Sequence, residues 1–271
     1  MRWRDWGLLA GVGVAAGVAT FVYGMLHEAE RLTVEDVTLP LPRWPAHLDG
    51  YRIAVIADLH VRGPQSLALA KRAIAHAILE APDMLVLAGD VVAYWKPEMP
   101  QMIGDLLEPL LLMEGKAIAI AGNHEYDGGT PDPLVAICNE LNVKFLRNES
   151  WVQDGITWVG IDSYNAGASD IAASFAEAEG EPRLVLWHEP DLVAMLPPVA
   201  ALQISGHSHG GQFTFPGGFT PIFSENGRRY HRGFYPDAPT PLYVSRGVGT
   251  TGFPSRLNCP PEVSILTLTS A

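Results

Sequence analysis

From residue 51 onward the chain alternates between short apolar runs and longer amphipathic stretches. YRIAVIADLH (51–60) opens apolar and closes polar. SLALAKRAIAHAILE (66–80) follows with apolar residues at helical spacing, and MLVLAGD (84–90) is the next apolar run. Strand, helix, strand in that order predicts a right-handed parallel crossover. A second helical stretch, 98–114, leads into AIAIAGNHE (117–125), 132–141 reads as a helix again, and ITWVGID (156–162) reads as a strand. LVLWHEP (184–190), ALQISGHSHGG (201–211), PLYVSRG (241–247) and VSILTLT (263–269) complete the expected strands. Most of these runs lack alternation, the pattern of strands covered on both faces. Upstream, RLTVEDVTLPLPRWPAHLDG (31–50) predicts one short strand and a proline-punctuated connection. Residues 30–271 show no internal repeat, low-complexity tract or linker, so their pattern alone describes one α/β domain on a mixed sheet.

The first 29 residues differ, and they are expected to form a membrane anchor or a signal segment ahead of a folded unit at 30–271. MRWRDW precedes GLLAGVGVAAGVATFVYGML (7–26), which carries no charge. At about 1.5 Å per residue such a run crosses a bilayer. Arg2, Arg4 and the amino terminus lie before it, while His27, Glu28 and Glu30 follow. That bias places the C-terminal body outside the cytoplasm. Trp3, Trp6 and Tyr23 sit near the two ends, where amphipathic rings favour the interface. The alternative is a signal peptide cleaved near Gly17-Val18-Ala19, which would leave the body secreted or periplasmic.

Composition narrows the partners. Hydrophobic residues make up 48% of the 271 and charged residues 18%, which is the balance of a folded protein. A net charge of -12 argues against a general nucleic-acid binder. Cys138 and Cys259 lack the short spacing of a zinc or redox motif and are expected as two small buried residues rather than a pair.

The candidate chemistry lies where the strands stop. IAVIA ends at Asp58-Leu59-His60, LVLAG at Asp90, AIAIAG at Asn123-His124, LVLW at His188, and ALQISG at His207-Ser208-His209. In open α/β sheets, ligands bind beyond the carboxyl ends of strands. Five such ends carrying carboxylate, imidazole or amide groups predict one site fed by five loops. Alone, each motif is an ordinary turn or cap. Together and in this order they are not. Oxygen and imidazole ligands without thiolate suit Mn, Fe, Zn or Co, and so many histidines disfavour an all-oxygen Mg or Ca cage. Asp58, His60, Asp90, Asn123, His188, His207 and His209 are too many for one tetrahedral ion. Two ions about 3.5–4 Å apart, bridged by one carboxylate, would use them all. Two divalent ions outweigh two aspartates, so the site would be cationic within an acidic protein and would attract phosphate.

ADLH, GD, GNHE, WHEPD and GHSHGG, in that order, resemble the calcineurin-like metallophosphoesterase superfamily. The metal motifs run from about residue 50 to 210, and the tail LYVSRGVGTTGFPSRLNCPPEVSILTL with the N-terminal segment is similar to the membrane-associated bacterial branch. That branch includes phosphodiesterases and UDP-diacylglucosamine pyrophosphohydrolases. The resemblance implies two mixed β-sheets packed as a sandwich flanked by helices, here preceded by one N-terminal transmembrane helix. It implies two divalent metal ions, one held by Asp58, His60 and His209, the other by Asn123, His188 and His207, with Asp90 bridging. His124 would contact the phosphate and protonate the leaving group. A metal-bridged hydroxide would attack a phosphodiester, pyrophosphate or phosphomonoester, on a lipid-linked or nucleotide-sugar substrate. The rival is a non-catalytic interaction module keeping the fold; such a module would be expected to have lost ligands or His124, and all are present. Two departures stand out. Glu125 occupies a place where the family commonly has aspartate, and VVAYW after Asp90 lacks an acidic residue often found there.

Four further features are weaker. Arg246 and Arg256, in glycine-rich turns, could each clamp phosphate bidentately, or each make an ordinary ion pair. GRRYHRGFY (227–235) gathers Arg228, Arg229 and Arg232 among aromatics. It is either a headgroup-binding loop or a solvated loop whose aromatics cover a sheet edge, the second being favoured. His47 and His76 are expected at the surface. Ser208 reads as a spacer.

Overall fold

The computed structural model describes residues 3–271; Met1 and Arg2, one of the two arginines behind the expected sidedness, lie outside the described residues. The chain runs α1 (Trp3–Leu26), β1 (Thr33–Leu41), β2 (Tyr51–Ile56), α2 (Pro64–Leu79), β3 (Met84–Ala88), α3 (Met99–Leu107), β4 (Ala117–Ile120) and α4 (Asp132–Glu140). It continues with β5 (Lys144–Phe145), β6 (Glu149–Gln153), β7 (Ile156–Ile161), α5 (Ile171–Phe175), β8 (Arg183–Trp187), β9 (Leu202–Ser205), β10 (Gly233–Tyr235), β11 (Leu242–Val244) and β12 (Glu262–Ser270).

These strands make two six-stranded mixed sheets, ordered β1-β12-β2-β3-β4-β5 and β10-β11-β9-β8-β7-β6. The apolar runs alone left the division into sheets open, and the structure has the two mixed sheets that the family resemblance implies. Within each sheet the central strands are parallel: β2, β3 and β4 in the first, and β7, β8, β9 and β11 in the second. Their carboxyl ends consequently emerge along common edges. β12 runs antiparallel to β2 and parallel to β1, so the first and last strands of the domain close the same sheet.

Period-2 alternation within the apolar runs sorts side chains between two layers. Ile53 and Val55 of β2, with Met84 and Val86 of β3, face Trp158, Leu184, Leu186 and Ile204 of the second sheet. Ala54 and Ile56, with Leu85 and Leu87, face outward under α2, α3 and α4. α2 meets that face with Leu69, Ala70, Ala73, Ile74 and Ala77, a helical stripe of small and branched residues. Each large side chain so buried is worth about 1.5–3 kcal/mol. The helix expected over 98–114 is α-helical only to Leu107 and tightens to a 3-10 turn from Glu108 to Met113. Pro109, with no amide hydrogen to donate, accounts for the break.

α1 is the one helix among the described residues long and apolar enough to cross a membrane by length and composition. Residues 11–23 of it are exposed, and only its last turns meet the domain. Arg256 N–H donates to Gly24 O at 3.3 Å, and Glu28 Oε1 accepts from Cys259 N–H at 2.8 Å. Cys138 and Cys259 are both buried and unpaired, and His47 and His76 are exposed.

Candidate metal centre

Five strand ends deliver the seven ligand candidates to one place. Asp58 and His60 follow β2, Asp90 follows β3, Asn123 follows β4, His188 follows β8, and His207 and His209 follow β9. Ligand atoms of Asp58, His60 and His209 lie within 4.8 Å of one another, as do those of Asp90, His188 and His207, and those of His60, Asp90 and His124. His188 Nε2 is 3.0 Å from Asp90 Oδ2 and 3.8 Å from Asp58 Oδ1. His60 Nε2 is 3.4 Å from Asp90 Oδ2, and His209 Nε2 is 3.5 Å from Asp58 Oδ1. Asp90 thus stands between two imidazole groups. Asn123 Oδ1 is buried with no hydrogen-bond partner, an acceptor aimed at nothing the protein supplies.

The backbone is strained to achieve this. Asp58, His60, Asp90, His207 and His209 have φ of 54°, 44°, 54°, 70° and 51°. Non-glycine residues rarely adopt the left-handed region, and each costs about 1–3 kcal/mol where it occurs. Five such residues at one site mark a geometry imposed by the surrounding fold. Glycine supplies room beside them: a Cβ on Gly122 would lie 2.2 Å from Asp90 Oδ1, and one on Gly206 would lie 2.6 Å from Asp58 Oδ2.

Second partners decide which nitrogens are bare. His188 Nδ1 is 2.7 Å from Ala88 O, and a carbonyl only accepts, so Nδ1 carries a hydrogen and Nε2 is the nitrogen turned toward Asp90. His207 Nε2 contacts Glu225 O at 2.5 Å, which leaves Nδ1 free. His124 Nδ1 lies 2.9 Å from both Ala93 O and Asp127 Oδ2, leaving Nε2 free. His60 Nε2 and His209 Nε2 lie 3.0 Å apart.

Burial sets the charges. It pushes the His60 imidazole down to about 3 despite the Asp90 carboxylate, and holds His209 well below its ordinary value with help from His60. Both rings are therefore neutral, the form in which imidazole can bind a cation. Burial raises the Asp58 carboxyl to about 7 against the pull of His188, with Asp90 adding to the rise. Burial would raise Asp90 too, but His188 and His60 outweigh it and hold that carboxyl well below the usual range. Burial holds His207 down as well, whereas against burial the Asp90 carboxylate raises His188. Two buried carboxyl groups, four imidazoles and an orphaned amide oxygen form a donor set that fits divalent cations.

Around the ligand candidates, Glu125 holds backbone rather than a histidine ring. Its fully buried carboxylate accepts backbone N–H groups from Asp90 (2.9 Å), Val91 (2.7 Å), Val92 (3.2 Å) and Gly122 (2.7 Å). It clamps the Asp90 loop to the Asn123 loop and does not touch the His124 ring, which Asp127 holds. The motif reading passes over Asp127 and Asn165, which contact His124 and His207, and Asp162 behind Tyr126. Asn165 Nδ2 is 3.2 Å from His207 Nε2, and Asp162 binds Tyr126 OH at 2.6 Å and Arg147 Nε at 2.7 Å. Asp162 follows β7, so the strand-end rule that found the ligands also applies to it. Ser208 ties its loop to His231 O at 2.7 Å.

Both arginines have partners within the protein, and for Arg246 these are the ion pairs that stood as the alternative to a phosphate clamp. Arg246 pairs with Glu35 at 2.8 Å and Glu262 at 2.5 Å. Arg256 is fully buried, and its guanidinium donates to the carbonyls of Gly249, Cys259, Arg246 and Gly247. Burial favours occupancy of those carbonyls, because unpaired acceptors there would be costly. In GRRYHRGFY, Tyr230 is buried in the outer core of the second sheet while Arg228 and Arg229 are exposed.

Above the ligands opens a cavity of about 580 Å³. Asp90, Asn123, His207 and His209 line its floor, Phe213, Ile222, Phe223 and Phe253 one wall, and His124 faces it too. A two-sheet sandwich with a His, Asp and Asn cluster at its carboxyl strand ends defines a metal-dependent hydrolase. Residues 51–211 match the family model described as calcineurin-like phosphoesterase, and the chain belongs to that family. It is a phosphoester hydrolase. It is 28% identical to the uncharacterized metallophosphoesterase YkuE of Bacillus subtilis, covering 97% of this chain and 94% of that one. It is 29% identical to the phosphodiesterase YaeI of Escherichia coli, covering 94% and 96% respectively. It is 27% identical to the UDP-2,3-diacylglucosamine pyrophosphatase LpxG of Chlamydia trachomatis, covering 93% and 94%.

Proposed function

We propose that the chain is a membrane-anchored, two-metal hydrolase of a phosphodiester or pyrophosphate bond in a lipid-linked substrate. Asp58, His60 and His209 would hold one cation and Asn123, His188 and His207 the other, with Asp90 shared. The observation that carries this reading is the clustering of Asp58, His60, Asp90, His188, His207 and His209, with Asp90, His207 and His209 reaching, beside Asn123, a cavity also lined by Phe213, Ile222, Phe223 and Phe253. When bound, divalent cations lower the pKa of water and offset phosphoryl charge. Asn123 and the imidazoles fix where the phosphate sits. Ala93 and Asp127 hold His124 Nδ1, so that ring exchanges its proton at Nε2, which serves the leaving oxygen. Glu125 keeps the two loops in register through four backbone hydrogen bonds.

The apolar wall suits an acyl chain beside the scissile phosphate, and the LpxG relative acts on a diacylated nucleotide sugar, as its name states. α1 would anchor the chain, residues 1–29 forming the anchor and 30–271 the catalytic domain, with that domain outside the cytoplasm. The test is hydrolysis of bis(p-nitrophenyl) phosphate and of UDP-2,3-diacylglucosamine by the purified full chain, with MnCl₂ or with chelator. Manganese-dependent turnover that is lost in His209→Ala is expected. Turnover indifferent to chelator, or untouched by that substitution, would refute the two-metal mechanism.

A further inference from the structure

The segment FTFPGGFTPIF (213–223) folds back on itself beside the cavity. Phe215 N–H donates to Phe219 O at 2.8 Å and Gly218 N–H to Phe215 O at 3.0 Å, closing a turn through Pro216, Gly217 and Gly218. Gly217 and Gly218 both have φ of 83°, which lets the turn be this tight. Phe215 and Phe219, their rings 6.4 Å apart, are carried at its exposed tip. Phe219 is 65% exposed, Phe253 60% and Ile222 50%. Single exposed apolar residues are ordinary on any surface, whereas a cluster marks an interaction face. These residues cluster: Ile222 and Phe253 line the same cavity mouth.

The cluster continues into α1. Phe253 meets Phe21 edge-on with ring centroids 6.0 Å apart, and Ser255 Oγ donates to Phe21 O at 3.2 Å. The end of the membrane-length helix is therefore packed on the loop that forms the cavity rim. Basic residues flank the tip on its other side. Arg228 lies over the Phe223 ring at 5.6 Å, and Arg232 Nη1 donates to Thr214 Oγ1 at 3.0 Å. Asp191 accepts the backbone N–H groups of Arg228, Arg229 and Tyr230, which leaves the exposed Arg228 and Arg229 side chains turned outward. An apolar tip on a segment that arginines contact at Thr214 and Phe223 is the pattern of a surface that sinks into the headgroup region and meets lipid phosphate.

We infer that the Phe215–Phe219 tip, with Ile222 and Phe253, inserts into the interfacial layer of the bilayer beside α1 and seats the cavity mouth at the membrane surface. The inference rests on α1 being the anchor proposed above. An acyl-bearing substrate could then reach the metal floor without crossing water. A second copy or a protein partner would also cover an apolar patch, but neither accounts for its continuity with α1.

Both native cysteines are fully buried, so single introduced cysteines can be labelled selectively. The full chain is reconstituted into phosphatidylethanolamine–phosphatidylglycerol vesicles with and without doxyl-labelled lipid, carrying an environment-sensitive fluorophore at one position. Val14→Cys reports on α1, Phe219→Cys on the tip, and Leu79→Cys on the end of α2 away from the ligand loops, where Leu79 is 79% exposed. Doxyl lipid is expected to quench Val14→Cys and Phe219→Cys and to leave Leu79→Cys bright. Quenching at Val14→Cys alone overturns the docking and leaves the anchor standing, and no quenching at either overturns both. A blue shift at Phe219→Cys that follows protein concentration and not doxyl lipid assigns the patch to a second copy and overturns the inference.

Discussion

Placing one methyl group on Gly122 tests whether the position of Asp90 governs the site, because no functional atom is removed. The new Cβ would lie 2.2 Å from Asp90 Oδ1, 2.7 Å from Asp90 N and 2.8 Å from Asp90 Cγ. Rotating the carboxylate cannot clear it, since the Asp90 backbone is also in the way. The Asp90 loop is held from behind by Glu125 and from the side by His124 N–H, which donates to Asp90 Oδ1 at 2.9 Å. Relief therefore requires the whole loop to retreat by about 1 Å, and a misplacement of about that size costs about 100-fold in rate. The expected outcome for Gly122→Ala is a loss of about 100-fold in kcat/KM on bis(p-nitrophenyl) phosphate with MnCl₂, together with weaker metal retention by elemental analysis. Gly104→Ala in α3 is the control. A Cβ there meets nothing within 4 Å, and the change is expected to add about 0.5–1 kcal/mol of stability at unchanged activity. Wild-type activity and metal content in Gly122→Ala would refute the reasoning that close backbone approach positions Asp90.

Three further outcomes follow from named contacts. Glu125→Gln turns one carboxylate oxygen into a donor facing two amide hydrogens, which removes two charge-assisted bonds at about 1.5–3 kcal/mol each; a loss of about 3–6 kcal/mol in urea unfolding is expected, and a change below about 1 kcal/mol would show that the clamp contributes little. His124→Gln should lower kcat by about 10²–10⁴ while the metal content stays at the wild-type level, and a loss of metal along with activity would make His124 a ligand instead. Arg256→Met strips donors from several buried carbonyls, each costing about 1–3 kcal/mol; the melting temperature should fall with KM unchanged, whereas a raised KM at an unchanged melting temperature would support the phosphate-clamp reading.

The ligand candidates were legible in the sequence because each follows an apolar run long enough to be a strand, and in parallel sheets those ends share an edge. The division into two sheets was not legible. β5 has two residues and β10 three, too short for periodicity, and β6 has no clean alternation of exposed and buried positions. One contact between the sheets rests on a glycine: a Cβ on Gly160 would lie 2.2 Å from Leu146 Cβ, so its absence lets β7 pass against the turn leaving the first sheet. Glu125 was visible as an acid beside His124, but three of its four partners are amides of residues 90–92, over thirty positions earlier. Sequence spacing carries no sign of such a clamp. Arg256 was left between a phosphate clamp and an ion pair for a related reason: spacing does not show that carbonyls of nearby turns supply enough acceptors to bury it. In GRRYHRGFY the aromatics and arginines divided as amphipathic loops do, Tyr230 inward and Arg228 and Arg229 outward.

Whether the seven residues hold two cations is tested most directly by anomalous diffraction at the manganese edge, from crystals of the full chain grown with Mn²⁺. Two peaks about 3.5–4 Å apart are predicted, on either side of the Asp90 carboxylate. One should lie beside Asp58, His60 and His209, the other beside Asn123, His188 and His207. A single peak, or none among these residues, would contradict the two-metal site.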